Sequence, residues 1–222
     1  MKHIRLIHNR KQLFDPPAEL FQGDCLSVLR GVDDESIDAI IVDPPYGINY
    51  RSKYGQTISN DLRPFIWWLY DAFRVAKPGA RLICFSAWKF QEVFKVAIET
   101  AGWRIRSHVI WDKEIHGGGD CAREFAPRHE VIWYATKGDY KFKHGRPVSV
   151  LQRRYLFGHQ RHHPNEKPVE LFDRLVNAIT SEGEGNNILD SYGKICDTLR
   201  YGKPSTIPDD LAGCNSILQR SR

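Results

Sequence analysis

Apolar and polar positions repeat with two periods along the chain, and the switches between the periods mark out strands and helices. Ser36-Ile37-Asp38-Ala39-Ile40-Ile41-Val42 is a short, β-branched run of strand type. It must stop at Asp43-Pro44-Pro45-Tyr46-Gly47, because two successive prolines have no N–H with which to extend a ladder. Upstream, Glu19-Leu20-Phe21-Gln22 predicts a strand, followed by a helix over residues 25–29 with Asp24 as its N-cap. Residues 1–18 are polar and irregular, and Asp15-Pro16-Pro17 reads as a loop. Residues 48–61 form a polar loop whose length predicts a segment that closes over a substrate. Pro64 opens a helix in which Phe65, Trp68, Leu69, Ala72, Phe73 and Ala76 recur at helical spacing until Lys77-Pro78-Gly79 stops it. Residues 81–86 predict the next strand, and Phe90, Val93, Phe94, Ala97, Ile98 and Ala101 stripe a helix that Gly102 ends. Residues 103–111 and 130–135 supply two more strands. Pro168 begins a helix with Glu170 in its first turn and Leu171, Leu175 and Ile179 on its buried face; Asn187-Ile188-Leu189-Asp190 is the last legible strand. Residues 197–222 show no amphipathic stripe. The alternation predicts an α/β fold, a Rossmann-like sheet with helices on both faces.

Composition narrows the class. With 222 residues, 41% of them hydrophobic, the chain is long enough for one large domain with a substantial core. No apolar run approaches the roughly 18 residues that span a bilayer. The start, Met1-Lys2-His3-Ile4-Arg5, has no signal-peptide apolar region, so a cytoplasmic protein without a membrane partner is expected. Five scattered cysteines (Cys25, Cys84, Cys121, Cys196 and Cys214) without a C-x-x-C pair indicate neither a disulfide framework nor a zinc site. The net charge of +5 is only moderately basic, but its distribution is uneven. Residues 137–168 hold eight Lys and Arg against Asp139 and Glu166, a surplus of six that exceeds that of the whole chain. Lys141, Lys143, Arg146, Arg153, Arg154 and Arg161, interleaved with Tyr140, Phe142, Tyr155 and Phe157, suit phosphate contact with occasional stacking; an ordinary solvated basic face fits the same residues. His159-x-x-His162-His163 has no carboxylate or thiolate partner set beside it, so no metal is expected.

The candidate chemistry lies at the double-proline turn. Asp43 and Tyr46 are presented at a strand's carboxyl end, where open α/β sheets place their ligands. The carboxylate and a proline-fixed carbonyl can accept both N–H bonds of a planar amine, while the ring stacks on it and the lone pair is left to attack an electrophile. A plain strand-to-turn corner is the alternative.

The turn resembles the catalytic motif of S-adenosylmethionine-dependent DNA amino-methyltransferases, which methylate adenine N6 or cytosine N4; the form D-P-P-Y-G leans toward adenine. The resemblance implies that Asp43, Pro44, Pro45 and Tyr46 are catalytic and that double-stranded DNA is the partner. His163-Pro164-Asn165-Glu166-Lys167-Pro168-Val169-Glu170-Leu171 is similar to the family's H-P-x-E/Q-K-P-x-x-L, which implies that Asn165, Glu166, Lys167 and Pro168 lie beside the methionine half of the cofactor. The same family places a strand-end acid like Asp24 beside the adenosine half; a helix cap is the equal alternative. The glycine-rich stretch after Ile115, followed by Phe125-Ala126-Pro127-Arg128-His129-Glu130, is similar to phage-type members, in which it lies near the target-base pocket; a linker loop is the alternative. A catalytic motif first and a cofactor helix late is the order of the circularly permuted β class, and implies a restriction-modification type of enzyme.

The family continues D-P-F-x-G-x-G-T, with Asp190 as its cofactor-binding acid, whereas this chain reads Asp190-Ser191-Tyr192-Gly193-Lys194-Ile195-Cys196-Asp197-Thr198. Lys194 and Cys196 put side chains where the family's glycines let the backbone turn beneath the cofactor. Two expectations follow: a site-specific DNA methyltransferase, or a catalytically impaired DNA-binding remnant of one. The expected organisation is an irregular segment over residues 1–18, a methyltransferase domain over 19–190 with a DNA-facing insertion at 137–168, and an atypical tail over 191–222, which leaves the sheet incomplete at its cofactor-binding end.

Overall fold

The computed structural model describes residues 5–9, 18–49, 61–117, 122–143, 145–155, 167–180, 186–190 and 214–220. Its centre is the apolar run that ends at Asp43, here the strand β3 (Ile37–Val42). Around it are β1 (Arg5–Asn9), β2 (Ala18–Gln22), α1 (Cys25–Arg30), α2 (Trp68–Val75), β4 (Ala76–Ser86), α3 (Gln91–Thr100), β5 (Arg104–Asp112), β6 (His129–Thr136), β7 (Val150–Gln152), α4 (Val169–Ile179), β8 (Asn186–Asp190) and β9 (Cys214–Arg220). Among the described residues the strands form one nine-stranded sheet in the order β1-β2-β9-β8-β3-β4-β6-β5-β7. The middle three, β8, β3 and β4, are parallel; β6 is antiparallel to both β4 and β5.

Because side chains alternate across a strand, each central strand feeds two cores. Ile40, Val42, Leu82, Cys84 and Trp133 pack under α1, α2 and α3, through residues such as Leu29, Trp68, Leu69 and Phe94. Ala39, Ile41, Ile83, Phe85 and Ile132 face the other way, onto Leu171, Phe172, Leu175 and Val176 of α4. Helices on both faces of the sheet match the sequence expectation. Burying side chains of this size contributes roughly 1.5–3 kcal/mol each. The one acid inside β3, Asp38, ties its neighbours together: its carboxylate pairs with Lys77 of β4 at 2.9 Å and accepts the N–H of Asn187 in β8 at 2.9 Å.

Several boundaries move. The helix expected from Pro64 begins at Trp68, with Phe65 and Ile66 packed against the core as irregular chain. Lys77-Pro78-Gly79 does not end an element but lies within β4, in a bulge where β3 advances from Ile37 to Ala39 while β4 advances from Ala76 to Arg81; Gly79 has φ +83° there. Val93 points to solvent, because α3 buries only Phe94 and Ile98 along its length. The irregular first segment contains β1, which pairs with β2, and the tail contains β9, inserted antiparallel between β2 and β8. The sheet therefore does not stop at Asp190. Residues 191–213, including the altered turn, lie outside the described residues.

Candidate active site

Parallel strands share a carboxyl edge, and here all three central strands end on buried polar side chains. Asp43 follows β3 and is 3% exposed, Ser86 closes β4 at 0% and Asp190 closes β8 at 1%. The Ser86 hydroxyl is buried without a hydrogen-bond partner among the described residues. Since β6 runs back from this edge, with Val131 opposite Ser86, Glu130 is delivered to the same place.

The turn after β3 is held from both sides. Gly47 has φ +84°, and a Cβ there would lie 2.3 Å from the Pro64 nitrogen. Its N–H donates to the Asp61 carboxylate at 2.7 Å, and the Asn49 N–H donates to the Asp61 carbonyl at 2.7 Å. Asp61 thus joins the two ends of the loop expected over residues 48–61; residues 50–60 lie outside the described residues. The pinned turn aims Tyr46 back at Asp43, and the Tyr46 hydroxyl donates to Asp43 Oδ1.

Lys167 occupies the other carboxylate oxygen, with Nζ 2.6 Å from Asp43 Oδ2. That ammonium is 6% exposed and also lies 3.4 Å from Glu130 Oε2 and 3.4 Å from the Tyr46 hydroxyl. Glu130 is held in turn by Lys113, 2.8 Å from Oε1. Two carboxylates and two ammonium groups therefore alternate, which lets charge be buried without an unpaired ion. Burial pushes the Tyr46 hydroxyl well above its ordinary value, helped by the negative charges of Asp43 and Glu130, so it stays protonated as a donor. Against the burial that would neutralise them, Lys167 is raised by Asp43 and Glu130, and Glu130 is lowered by Lys167 and Lys113.

Of the residues singled out from the sequence, Asp43, Pro44, Pro45, Tyr46, Lys167, Pro168 and Asp190 gather at this edge. Lys167, expected beside the cofactor, has its ammonium on Asp43. Asp24 accepts the Ser27 N–H at 3.1 Å as the cap of α1. Asn165, Glu166 and Arg161 lie outside the described residues. The basic stretch is not one surface. Lys137 donates to the Ala76 and Phe73 carbonyls at the end of α2, and Lys167 is in the site, so neither faces solvent as a phosphate contact. Lys141, Lys143, Arg146 and Arg154 are exposed and Arg153 is half-buried. The stretch also supplies β7, parallel to β5, which brings Arg153 and Arg154 to the carboxyl edge. Sequence reasoning missed Glu130, Lys113 and Ser86. The only signal for Glu130 was its place at the end of the F-A-P-R-H-E stretch.

A central parallel sheet with helices on both faces and a cluster of acids at its carboxyl edge is a Rossmann-like arrangement. The solved N4-cytosine-specific PvuII DNA methyltransferase has the same fold, with a TM-score of 0.62 at 13% identity over 80% of this chain and 76% of that one. So does the M1.HpyAVI–SAM complex, with a TM-score of 0.54 at 14% identity over 80% of this chain and 85% of that one. Residues 37–193 match the sequence profile of the DNA methylases that modify adenine N6 or cytosine N4, and the chain belongs to that family. It is 30% identical over 167 residues to YubD of Escherichia coli (strain K12), a methylase by name, covering 73% of this chain and 70% of that protein. The chain spans between 44% and 76% of the length of six curated relatives that it matches.

Proposed function

We propose that the chain transfers a methyl group from S-adenosylmethionine to an exocyclic amino group in double-stranded DNA, adenine N6 rather than cytosine N4 on the form of its D-P-P-Y-G turn. The observation that carries this reading is the buried Asp43 carboxylate beside Tyr46 at the carboxyl end of β3. A base must leave the stack to reach that depth. There the Tyr46 ring stacks on it, while Asp43 and the Pro44 carbonyl accept its two amino hydrogens; the Pro45 carbonyl is already used by the Phe65 N–H at 3.5 Å. Held this way, the nitrogen directs its lone pair outward and sheds one proton to the acceptor it faces as the methyl arrives. Orientation and fixed charges carry most of the rate enhancement.

The edge fits the methyl donor: among the described residues the Ser86 hydroxyl lacks a partner and the amino end of α4 has no side-chain cap, and Asp190 is a buried acid. When bound, S-adenosylmethionine supplies an electrophilic sulfonium methyl. Asp190, Asn165, Glu166 and Pro168 would hold it, with Asp24 as a further contact. Lys141, Lys143, Arg146, Arg153, Arg154 and Arg161 would contact phosphates. Asp43→Ala is expected to abolish transfer of a labelled methyl group to duplex DNA while leaving DNA affinity nearly unchanged. Retained transfer would sink the assignment.

A DNA-binding remnant with an impaired cofactor site is the second reading, favoured by the antiparallel direction of β9 beside β8, where a helical crossover would return a parallel strand. Calorimetry with S-adenosylmethionine separates the two. Micromolar binding excludes the remnant. Absence of binding, with recovery when a D-P-F-x-G-x-G-T ending replaces residues 191–222, establishes it.

A further inference from the structure

The methyl-transfer reading uses Asp43 and Tyr46 but gives no task to Glu130, a second carboxylate held in the same cluster. Both oxygens of Asp43 are engaged, one by the Tyr46 hydroxyl and the other by Lys167 at 2.6 Å. The same ammonium also pairs with Glu130 Oε2, at the longer distance of 3.4 Å, within an ångström of the close contact it makes with Asp43. Glu130 cannot itself drift toward Asp43, because Lys113 holds its Oε1 at 2.8 Å. Lys113 is in turn seated over the rings of Trp111 and Tyr155, at 5.3 Å from each. Lys167 lies against an apolar wall, with Nζ 4.7 Å from the centre of the Phe85 ring and 5.9 Å from that of Tyr46.

This arrangement matters for an amine that gains positive charge as it attacks. An ammonium bound to Asp43 cancels the negative potential that the developing charge needs, and it also occupies an acceptor oxygen that an incoming N–H would use. A second, fixed carboxylate within reach of Lys167 removes that obstacle without leaving a buried charge unpaired.

Building on the methyl-transfer reading, we propose that Glu130 is a positioning residue: Lys167 masks Asp43 in the geometry described here and shifts onto Glu130 when a target amino group enters, which unmasks the Asp43 carboxylate. Lys167 is then a movable counter-ion shared by two carboxylates, and Lys113 is the anchor that keeps the second carboxylate in place.

The expected sign of the coupling sets this apart from a structural role. Removing the Glu130 charge leaves Asp43 as the sole carboxylate partner of Lys167 among the described residues, so Glu130→Gln lowers kcat by about tenfold or more with little change in KM for DNA. Removing the ammonium as well takes the cation off Asp43, so Glu130→Gln combined with Lys167→Met transfers methyl faster than Glu130→Gln alone. A residue that only supports the fold would make the double variant slower still. The test is single-turnover transfer of labelled methyl to duplex DNA by the wild-type chain, the two single variants and the double variant, with urea unfolding of each to establish that all are folded at the assay temperature. A wild-type chain that transfers nothing overturns the function itself, and this inference with it. An active wild type whose folded double variant is no faster than Glu130→Gln overturns the inference alone and leaves the function standing.

Discussion

Asp112, the last residue of β5, anchors the connection to β6 that carries Glu130 into the site. Its two carboxylate oxygens accept from Arg128 Nε and Nη2 at 2.7 and 2.9 Å, and Oδ1 also accepts the Glu114 N–H at 2.9 Å. Hydrogen bonds from Arg128, then from the Glu114 backbone, lower its pKa from 3.8 to about 2. A carboxyl group depressed on folding stabilises the protein above its unfolded value, and the contribution is lost as pH falls through the folded one. Arg128 is 54% exposed, so the contribution is small after solvent screening. Urea midpoints for wild type and Asp112→Asn should therefore differ near neutral pH and converge on acidification toward pH 2. A gap that persists unchanged at low pH would show that the carboxylate charge is not what Arg128 reads. The same scale explains why Glu130 and the contacts of Lys167 within the cluster were not legible in the sequence. The Lys167 ammonium meets a Tyr46 hydroxyl 121 residues away, and no local spacing encodes such a pairing.

At the scale of elements, the strand-to-turn corner at residues 43–47 is held by a glycine that no other residue can replace without strain. Gly47 and Gly79 share a left-handed backbone, at φ +84° and +83°, but their surroundings differ. A Cβ on Gly47 would meet the Pro64 and Arg63 backbone at 2.3–2.5 Å, whereas one on Gly79 would find the Asp139 carbonyl at 3.4 Å. Left-handed strain alone costs about 1–3 kcal/mol. Gly47→Ala should thus lower the free energy of unfolding in urea by clearly more than Gly79→Ala, since it adds a backbone clash to the same strain. Equal losses would mean that the chain at Pro64 gives way freely. Short edge strands followed a different logic. β7 has three residues, and its place is set by the backbone partners that β5 offers rather than by any pattern of its own.

For the whole molecule, the split basic stretch changes what DNA binding should look like. Arg153 and Arg154 follow β7 at the edge where Asp43 and Glu130 lie, while Lys141 and Lys143 flank Phe142, which stacks on Tyr134 at 5.4 Å on the α4 side of the sheet. Affinity for duplex DNA should fall linearly on a log–log plot against salt, as counterion release requires. Replacing Arg153 and Arg154 together by Gln should reduce that slope by roughly 1–2, about one for each phosphate that is no longer neutralised. A slope unaffected by that double replacement, measured by titrating a labelled duplex, would remove these two residues from the interface.

The chain's own order of residues determined the elements whose signal is local. The β-branched run into two prolines made β3 and the acid at its end, the 3–4 spacing of Leu171, Leu175 and Ile179 made α4 with Pro168 at its start, and the continuous apolar runs of β4 and β6 made strands that feed both cores. Tertiary structure alone decided that β9 enters the sheet between β2 and β8, that Lys137 closes the end of α2, and that Lys167 and Glu130 share the neighbourhood of Asp43. The physical reason is the range of the forces. Proline sterics and hydrophobic periodicity act within a few residues of chain, whereas strand pairing and buried charge neutralisation depend on which distant groups the sheet brings to the same edge.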